Sequence, residues 1–244
     1  MSTPRVPVPG ADLAGDVVLP PAARHYLAVR RVAAGQAVVL FDGRGHEVDA
    51  VVVELPDGLI ARPTGPIRQG AESPVVQLWY GLPKGDKLDA VIRDVTELGV
   101  DRVCLLACRR SVVQLEGPRL KQRMERLQRI AEEAARQSGR TRVPTLEPPC
   151  TVVEALARRA ALTGGVEAGC LLVLQPTATA TLHAVDLVAP VGVCVGPEGG
   201  FAPEELAAFE AAGALSVRLQ GPILRTETAA PIACALVLHG LGGL

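Results

Sequence analysis

The sequence predicts an α/β protein in which a mainly parallel sheet carries helices on both faces, preceded by a smaller β-rich segment. Three observations lead there. From Val75 onward, short apolar runs alternate with stretches whose apolar residues recur at helical spacing, the rhythm of repeated strand and helix units. Before about residue 70 the pattern is different: Ala37 to Phe41 and Val48 to Leu55 flank Asp42-Gly43-Arg44-Gly45, a strand, turn, strand arrangement. Between the two parts, Ile67 to Pro74 is polar with glycine and proline near its ends and reads as a linker, so the expected domains are residues 1–70 and 75–244.

In the first part, Pro21 to Val32 is a short helical or turn segment holding His25, Tyr26, Leu27 and the adjacent cations Arg30 and Arg31. In the second, Val75 to Tyr80 is a strand. Asp86 to Leu98 follows as a helix with Leu88, Val91, Ile92, Val95 and Leu98 on one face and Gly99 as its stop. Val103 to Ala107 is a strand, and Arg119 to Ser138 a helix ended by Gly139. Thr151 to Ala160 opens with Thr-x-x-Glu, a capping-box pattern. Strands Leu171 to Leu174 and Val191 to Val195 come next. Helix Pro203 to Ala212, strand Ser216 to Leu219 and a last helix from about Thr226 to His239 complete the series.

At 244 residues, 48% hydrophobic and 21% charged, the chain is long enough for one large or two modest domains with their own cores. No apolar run approaches the ~20 residues that cross a bilayer, and the N-terminus lacks a secretory pattern, so a cytoplasmic protein without a membrane partner is expected. Six cysteines include no C-x-x-C, and the four histidines lie far from them in sequence. Cys104, Cys170 and Cys194 sit in apolar runs and read as small buried hydrophobes, so no metal is expected. A net charge of −1 argues against holding nucleic acid by overall electrostatics. Between Arg102 and Arg142, however, eleven basic residues face four acidic ones, including Glu116, a local excess of seven. Arg119, Arg123 and Arg126 share one helix face, an arrangement that suits phosphate contacts or, equally, a solvated face.

Two segments near the C-terminus carry the chemistry. Val191 to Phe201 (VGVCVGPEGGF) is a buried strand feeding a loop of Gly196, Pro197, Glu198, Gly199 and Gly200, whose glycines let backbone approach a ligand. Leu219 to Ala230 (LQGPILRTETAA) repeats the design, with a break at Gly221 and Pro222 and then Ile223, Leu224, Arg225 and Thr226 leading into an apolar helix. A helix N-terminus with a cation beside it suits an anionic or electron-rich ligand.

GPEGGF followed about twenty residues later by ILRTETAA resembles the signature of the RsmE family, bacterial 16S rRNA uridine-N3 methyltransferases of the SPOUT superfamily. KGDKLDAVIRDVTELGV from Lys84, EEAARQSGR from Glu132, and the N-terminal HxL…R with LFDGxG are similar to that family too, so the resemblance spans essentially the whole chain. It implies a trefoil-knotted parallel sheet preceded by a small PUA-like β-barrel, S-adenosylmethionine as cofactor, the small ribosomal subunit as partner and a homodimer. It also implies a cofactor pocket of Gln175, Gly196 to Gly200, Leu219, Gly221 and Ile223 to Thr226. Within it, Arg225 becomes the candidate for stabilising a uracil anion. Glu198 or Glu227 could accept the N3 proton, or could instead bind a ribose hydroxyl or cap a helix. Arg30, Arg31, Lys84, Lys87, Arg109, Arg110, Gln137 and Arg140 become candidate RNA contacts. Another SPOUT activity, ribose 2′-O methylation, and a non-catalytic RNA-binding protein are the alternatives.

The chain departs from the family pattern in two places. Leu219-Gln220-Gly221 moves a glycine by one position, and Pro231 falls early in the last helix, which predicts a regular helix starting after Thr226.

Overall fold

A computed structural model describes residues 3–56, 58–111, 117–163 and 169–244; Glu116 therefore lies outside the described residues. By contacts the chain divides into two compact units, residues 1–72 with 132–143, and residues 73–131 with 144–244.

The first unit is one sheet with a short helix. Strands β1 (Arg5–Pro7), β2 (Val17–Val18), β3 (Ala37–Phe41), β4 (His46–Leu55) and β5 (Gly58–Pro63) follow the order β1-β3-β4-β5-β2. β6 (Arg68–Gln69) pairs with β4, and α1 (Pro21–Val29) supplies Ala23 and Leu27 to the core beside Val38, Leu40, Val48 and Val52. The β3–β4 turn forms as the sequence requires. Gly43 and Gly45 adopt φ of 75° and 115°, and the Asp42 carboxylate accepts the backbone N–H of Arg44 and His46 at 2.7 and 3.0 Å. The start of the expected linker is a strand instead. Arg68 pairs with Glu47 and Asp49 of β4, and those ion pairs explain why so polar a segment is held in a sheet.

In the second unit, β7 (Val76–Gly81), β8 (Arg102–Leu106), β9 (Thr145–Cys150), β10 (Cys170–Leu174), β11 (Val191–Val195) and β12 (Leu215–Val217) form one parallel sheet in the order β12-β10-β11-β7-β8-β9. The helices are α2 (Lys87–Leu98), α3 (Gly117–Ser138), α4 (Val152–Thr163), α5 (Pro203–Ala211) and α6 (Thr226–Gly240); α3 from residue 132 on belongs by contacts to the first unit. Alternate strand residues divide between the two faces. Trp79, Cys104, Leu106, Val173 and Cys194 pack with Val152 and Ala155 of α4 and Phe209 of α5. On the opposite side α6 packs on β7 and β11 and against α2.

Three details differ from the sequence reading. β9 has no counterpart in the expected series and contains Pro148 and Pro149, which disfavour a central strand; as an edge strand with a register shift opposite Cys104 to Leu106, it tolerates the missing donors. α6 starts at Thr226 and contains Pro231, against the expected later start. Its first turn is held by outside bonds: Thr226 Oγ1 donates to the Gly196 carbonyl at 2.7 Å, and the N–H groups of Thr228 and Ala229 donate to the Arg225 carbonyl. Pro231 removes only the bond its N–H would have made one turn back. Finally, Arg123 and Arg126 of α3 both pair with Asp89 of α2, so that part of the basic stripe serves helix packing.

Candidate active site

The site is assembled where β10, β11 and β12 end, since parallel neighbours deliver their C-terminal loops to one edge of the sheet. The β11 loop leaves through Gly196 and turns at Pro197, whose carbonyl accepts the Gly200 N–H at 2.8 Å, with Gly200 at φ 68°. A Cβ on Gly196 would lie 3.1 Å from the Gly200 and Phe201 backbone, so a side chain there would press the loop open by a few tenths of an ångström. The β12 loop runs from Arg218 to Arg225 and enters α6, and the Thr226 hydroxyl ties it to the β11 loop at the Gly196 carbonyl.

Between these loops lies a cavity of about 450 Å³. Of the residues expected to hold a cofactor, Gln175, Gly196, Pro197, Glu198, Gly200, Leu219, Gly221, Ile223, Leu224, Arg225 and Thr226 all line it. Gly199 does not; its carbonyl accepts Arg110 Nη1 at 2.9 Å. Leu174, Val195 and Arg218 join the wall, as does Lys87 from α2. The sequence could not single out Arg218 or Lys87 for this place, because the strand order that brings their elements together has no local signal.

Charge concentrates on one side of the cavity. Lys87 Nζ lies 2.9 Å from Glu198 Oε1 and 3.2 Å from Glu227 Oε1, and the Lys84 backbone N–H reaches both Glu198 oxygens at 3.2 and 3.4 Å. Burial would raise the Glu198 carboxyl, but the Lys87 ammonium and the backbone N–H groups of Glu198 and Lys84 outweigh it and hold the group below its ordinary value. Lys87 is raised, first by its bond to Glu198 and then by that to Glu227. Glu227 does not line the cavity; its Oε2 is shielded from solvent and makes no hydrogen bond among the described residues. The Tyr80 hydroxyl, at the end of β7, is likewise shielded and without a bond of ordinary geometry. Burial first pushes that phenol up to about 12, the nearby Thr226 hydroxyl opposing and the Glu227 and Glu198 charges adding to it. Arg225 is exposed, and its side chain has no partner among the described residues.

The candidate RNA contacts fall in both units. Arg30, Arg31, Gln137 and Arg140 belong to the first. There the Arg30 and Arg136 guanidiniums lie 5.6 and 3.9 Å from the Tyr26 ring centroid, and Arg31 takes the left-handed position after α1 at φ 56°. Lys84, Lys87, Arg109 and Arg110 belong to the second, where Arg109 Nε is 3.7 Å from Glu204. Among the described residues no group of His, Cys, Asp and Glu could hold a metal ion, the six cysteines are unbridged, and no helix is long and apolar enough to cross a membrane.

Known proteins resemble the chain along most of its length. A family model described as an RNA methyltransferase domain matches residues 71–238, and one described as an RNA methyltransferase PUA domain matches residues 19–62. A Mycobacterium bovis protein named ribosomal RNA small subunit methyltransferase E is 35% identical over 222 residues, 87% of this chain and 82% of that protein. A Synechocystis protein of the same name is 32% identical over 238 residues, 95% of this chain and 76% of that one. Among solved structures, a ribosomal RNA small subunit methyltransferase E from Neisseria gonorrhoeae bound to S-adenosyl methionine superposes with a TM-score of 0.84 at 29% identity, covering 96% of each chain.

Proposed function

The chain belongs to the ribosomal RNA small subunit methyltransferase E family, and from that premise we propose that it methylates N3 of a uridine in 16S rRNA, using S-adenosylmethionine. The observation that carries the proposal is the convergence of the β11 and β12 loops on one cavity at the carboxyl edge of a parallel sheet. The residues present fit the cofactor. The cavity lies within the usual range of roughly 300–1,000 Å³ for small-molecule sites. Leu174, Val195 and Leu224 offer apolar surface, and the backbone of Gly196, Pro197, Glu198 and Gly200, with Leu219, Gly221 to Thr226 and Gln175, would hold it. When bound, it supplies an electrophilic methyl group.

The chain's own residues have three tasks. The loops orient the acceptor base and exclude water. Arg225, at the head of α6, stabilises negative charge on the uracil carbonyl oxygens. Glu198, which lines the cavity, takes the N3 proton, whereas Glu227 sits behind Lys87 and supports it. Because Glu198 is held below its ordinary value it is ionised at neutral pH but weakly basic, so the reaction leans on stabilising the uracil anion.

Arg30, Arg31, Lys84, Arg109, Arg110, Gln137 and Arg140 are the proposed RNA contacts. With aromatics only 2% of the residues, recognition rests on phosphates and shape more than on stacking. The same reading includes a trefoil knot, a PUA-like unit over residues 1–70 ahead of a catalytic unit over 75–244, a homodimer, and a cytoplasmic place of work beside the small ribosomal subunit.

The test is calorimetric titration with S-adenosylmethionine, followed by methyl transfer to small subunits lacking base methylation and mass spectrometry of the nucleosides. Micromolar binding and 3-methyluridine are expected, with Arg225→Ala lowering turnover far more than cofactor affinity. A ribose-methylated product would overturn the N3 assignment. Absence of binding at millimolar cofactor would leave an RNA-binding protein.

A further inference from the structure

We infer that Lys87 contacts the substrate: its ammonium is a fixed hydrogen-bond donor to a carbonyl oxygen of the uracil beside N3. The inference rests on the uridine-N3 reading above and assigns one residue of that site. An ammonium has three N–H donors. Two are taken, by Glu198 Oε1 at 2.9 Å and Glu227 Oε1 at 3.2 Å, and Lys87 itself forms part of the cavity wall. One donor therefore remains, on a group that two carboxylates hold in place, one from the loop after β11 and one from the first turn of α6. A phosphate-binding lysine has a different setting, since a long side chain meeting a backbone phosphate is usually solvated and free, whereas the Lys87 side chain is two-thirds covered.

The chemistry asks for such a donor. As N3 gains a methyl group it loses its proton to Glu198, and the electron pair of the broken N–H bond becomes the pair that bonds the new carbon, while the pair of the donor's methyl–sulfur bond would leave with the sulfur. Charge builds on the flanking carbonyl oxygens during that change, and a donor already in position needs no reorganisation to meet it. Glu227 is then the positioning residue. Its Oε1 grips the ammonium from α6, while its second oxygen stays shielded near Tyr80 and off the cavity wall.

The test compares wild type, Lys87→Met, Lys87→Arg and Glu227→Gln in four measurements. These are thermal unfolding, filter binding of cofactor-free protein to small-subunit RNA over a salt series, single-turnover methyl transfer, and transfer to RNA carrying 5-fluorouridine, whose N3–H is more acidic. Loss of one donor to developing charge typically lowers turnover about a hundred- to a thousand-fold. That loss is expected for Lys87→Met, with RNA affinity and salt slope unchanged, partial recovery in Lys87→Arg, and a larger gain from 5-fluorouridine in Lys87→Met than in wild type. A Lys87→Met protein that instead binds RNA more weakly with a salt slope reduced by about one, at unchanged single-turnover rate, would make Lys87 a phosphate contact. An equal benefit from fluorine in wild type and variant, with a lowered melting temperature, would make it a structural strut. Either result overturns the inference. A wild-type enzyme making no 3-methyluridine overturns the functional reading itself.

Discussion

Gly81, the last residue of β7, needs to lack a side chain because of distance. Its backbone is not in the left-handed region, yet a Cβ there would lie 2.5 Å from Pro197 Cδ and 2.6 Å from Pro197 N. The neighbour is ring and backbone, so it cannot swing aside as a flexible side chain would. Gly81→Ala should therefore push the β11 loop into its cavity at an overpacking cost of about 1–3 kcal/mol. The expected result is a melting temperature lower by several degrees together with weaker S-adenosylmethionine binding by calorimetry. Gly65→Ala, where a Cβ meets nothing within 4 Å, should change neither. Unaltered cofactor affinity and melting temperature in Gly81→Ala would show that the Gly81–Pro197 approach does not shape the site. At this scale the sequence was half legible. GPEGG announced a ligand loop by composition, and Arg225 and Glu198 stood out as its ionisable groups. Gly81 did not, and Lys87 stood out as an RNA contact but not as part of the cavity wall, because what brings each to the site is a partner far along the chain.

Among the elements, α4 shows local chemistry deciding a boundary. Thr151 Oγ1 accepts the Glu154 N–H at 3.2 Å, and the Glu154 carboxylate accepts the Thr151 N–H and hydroxyl at 2.8 and 2.9 Å, the reciprocal bonds that Thr-x-x-Glu foretells. Thr151→Ala should cost about 1 kcal/mol, or a fall of roughly 2–4 °C in melting temperature for a chain of this size. The Glu154 carboxyl is held below its ordinary value by the Thr151 backbone N–H first and its hydroxyl second. A carboxyl lowered on folding contributes stability that is present above its unfolded value, about 4.3, and is lost as the pH falls through the folded one. The difference between Thr151→Ala and wild type should accordingly shrink on acidification, and a penalty equal at pH 7 and pH 3 would remove Glu154 from the account. β9 and α6 mark the opposite case. Pro148, Pro149 and Pro231 are local signals against regular structure. Each is overruled by its setting, an edge position for the first two and a first turn tied to Gly196 for the third.

For the whole molecule, alternation of strands and helices made the fold class readable, but not the order β12-β10-β11-β7-β8-β9, since no residue names its neighbour across a sheet. That order places α6 over β7 and β11, where it does two things at once. Its first turn borders the cavity through Thr226 and Ala229, and its inner face buries Ala230, Ala233, Val237 and Leu238. The remaining face carries Ile232 and Leu236, one turn apart and 39% and 48% exposed, and a second copy of the chain would cover them. Sedimentation velocity at micromolar protein should give a species of twice 25.5 kDa. Leu236→Glu should return it to the single-chain mass, because a carboxylate buried in an apolar interface without a partner costs more than one helix face can repay. Cofactor titration of the same variant then tells whether the cavity depends on pairing. A wild-type protein that sediments as a monomer would detach the proposed homodimer from the α6 face and leave Ile232 and Leu236 as ordinary surface residues.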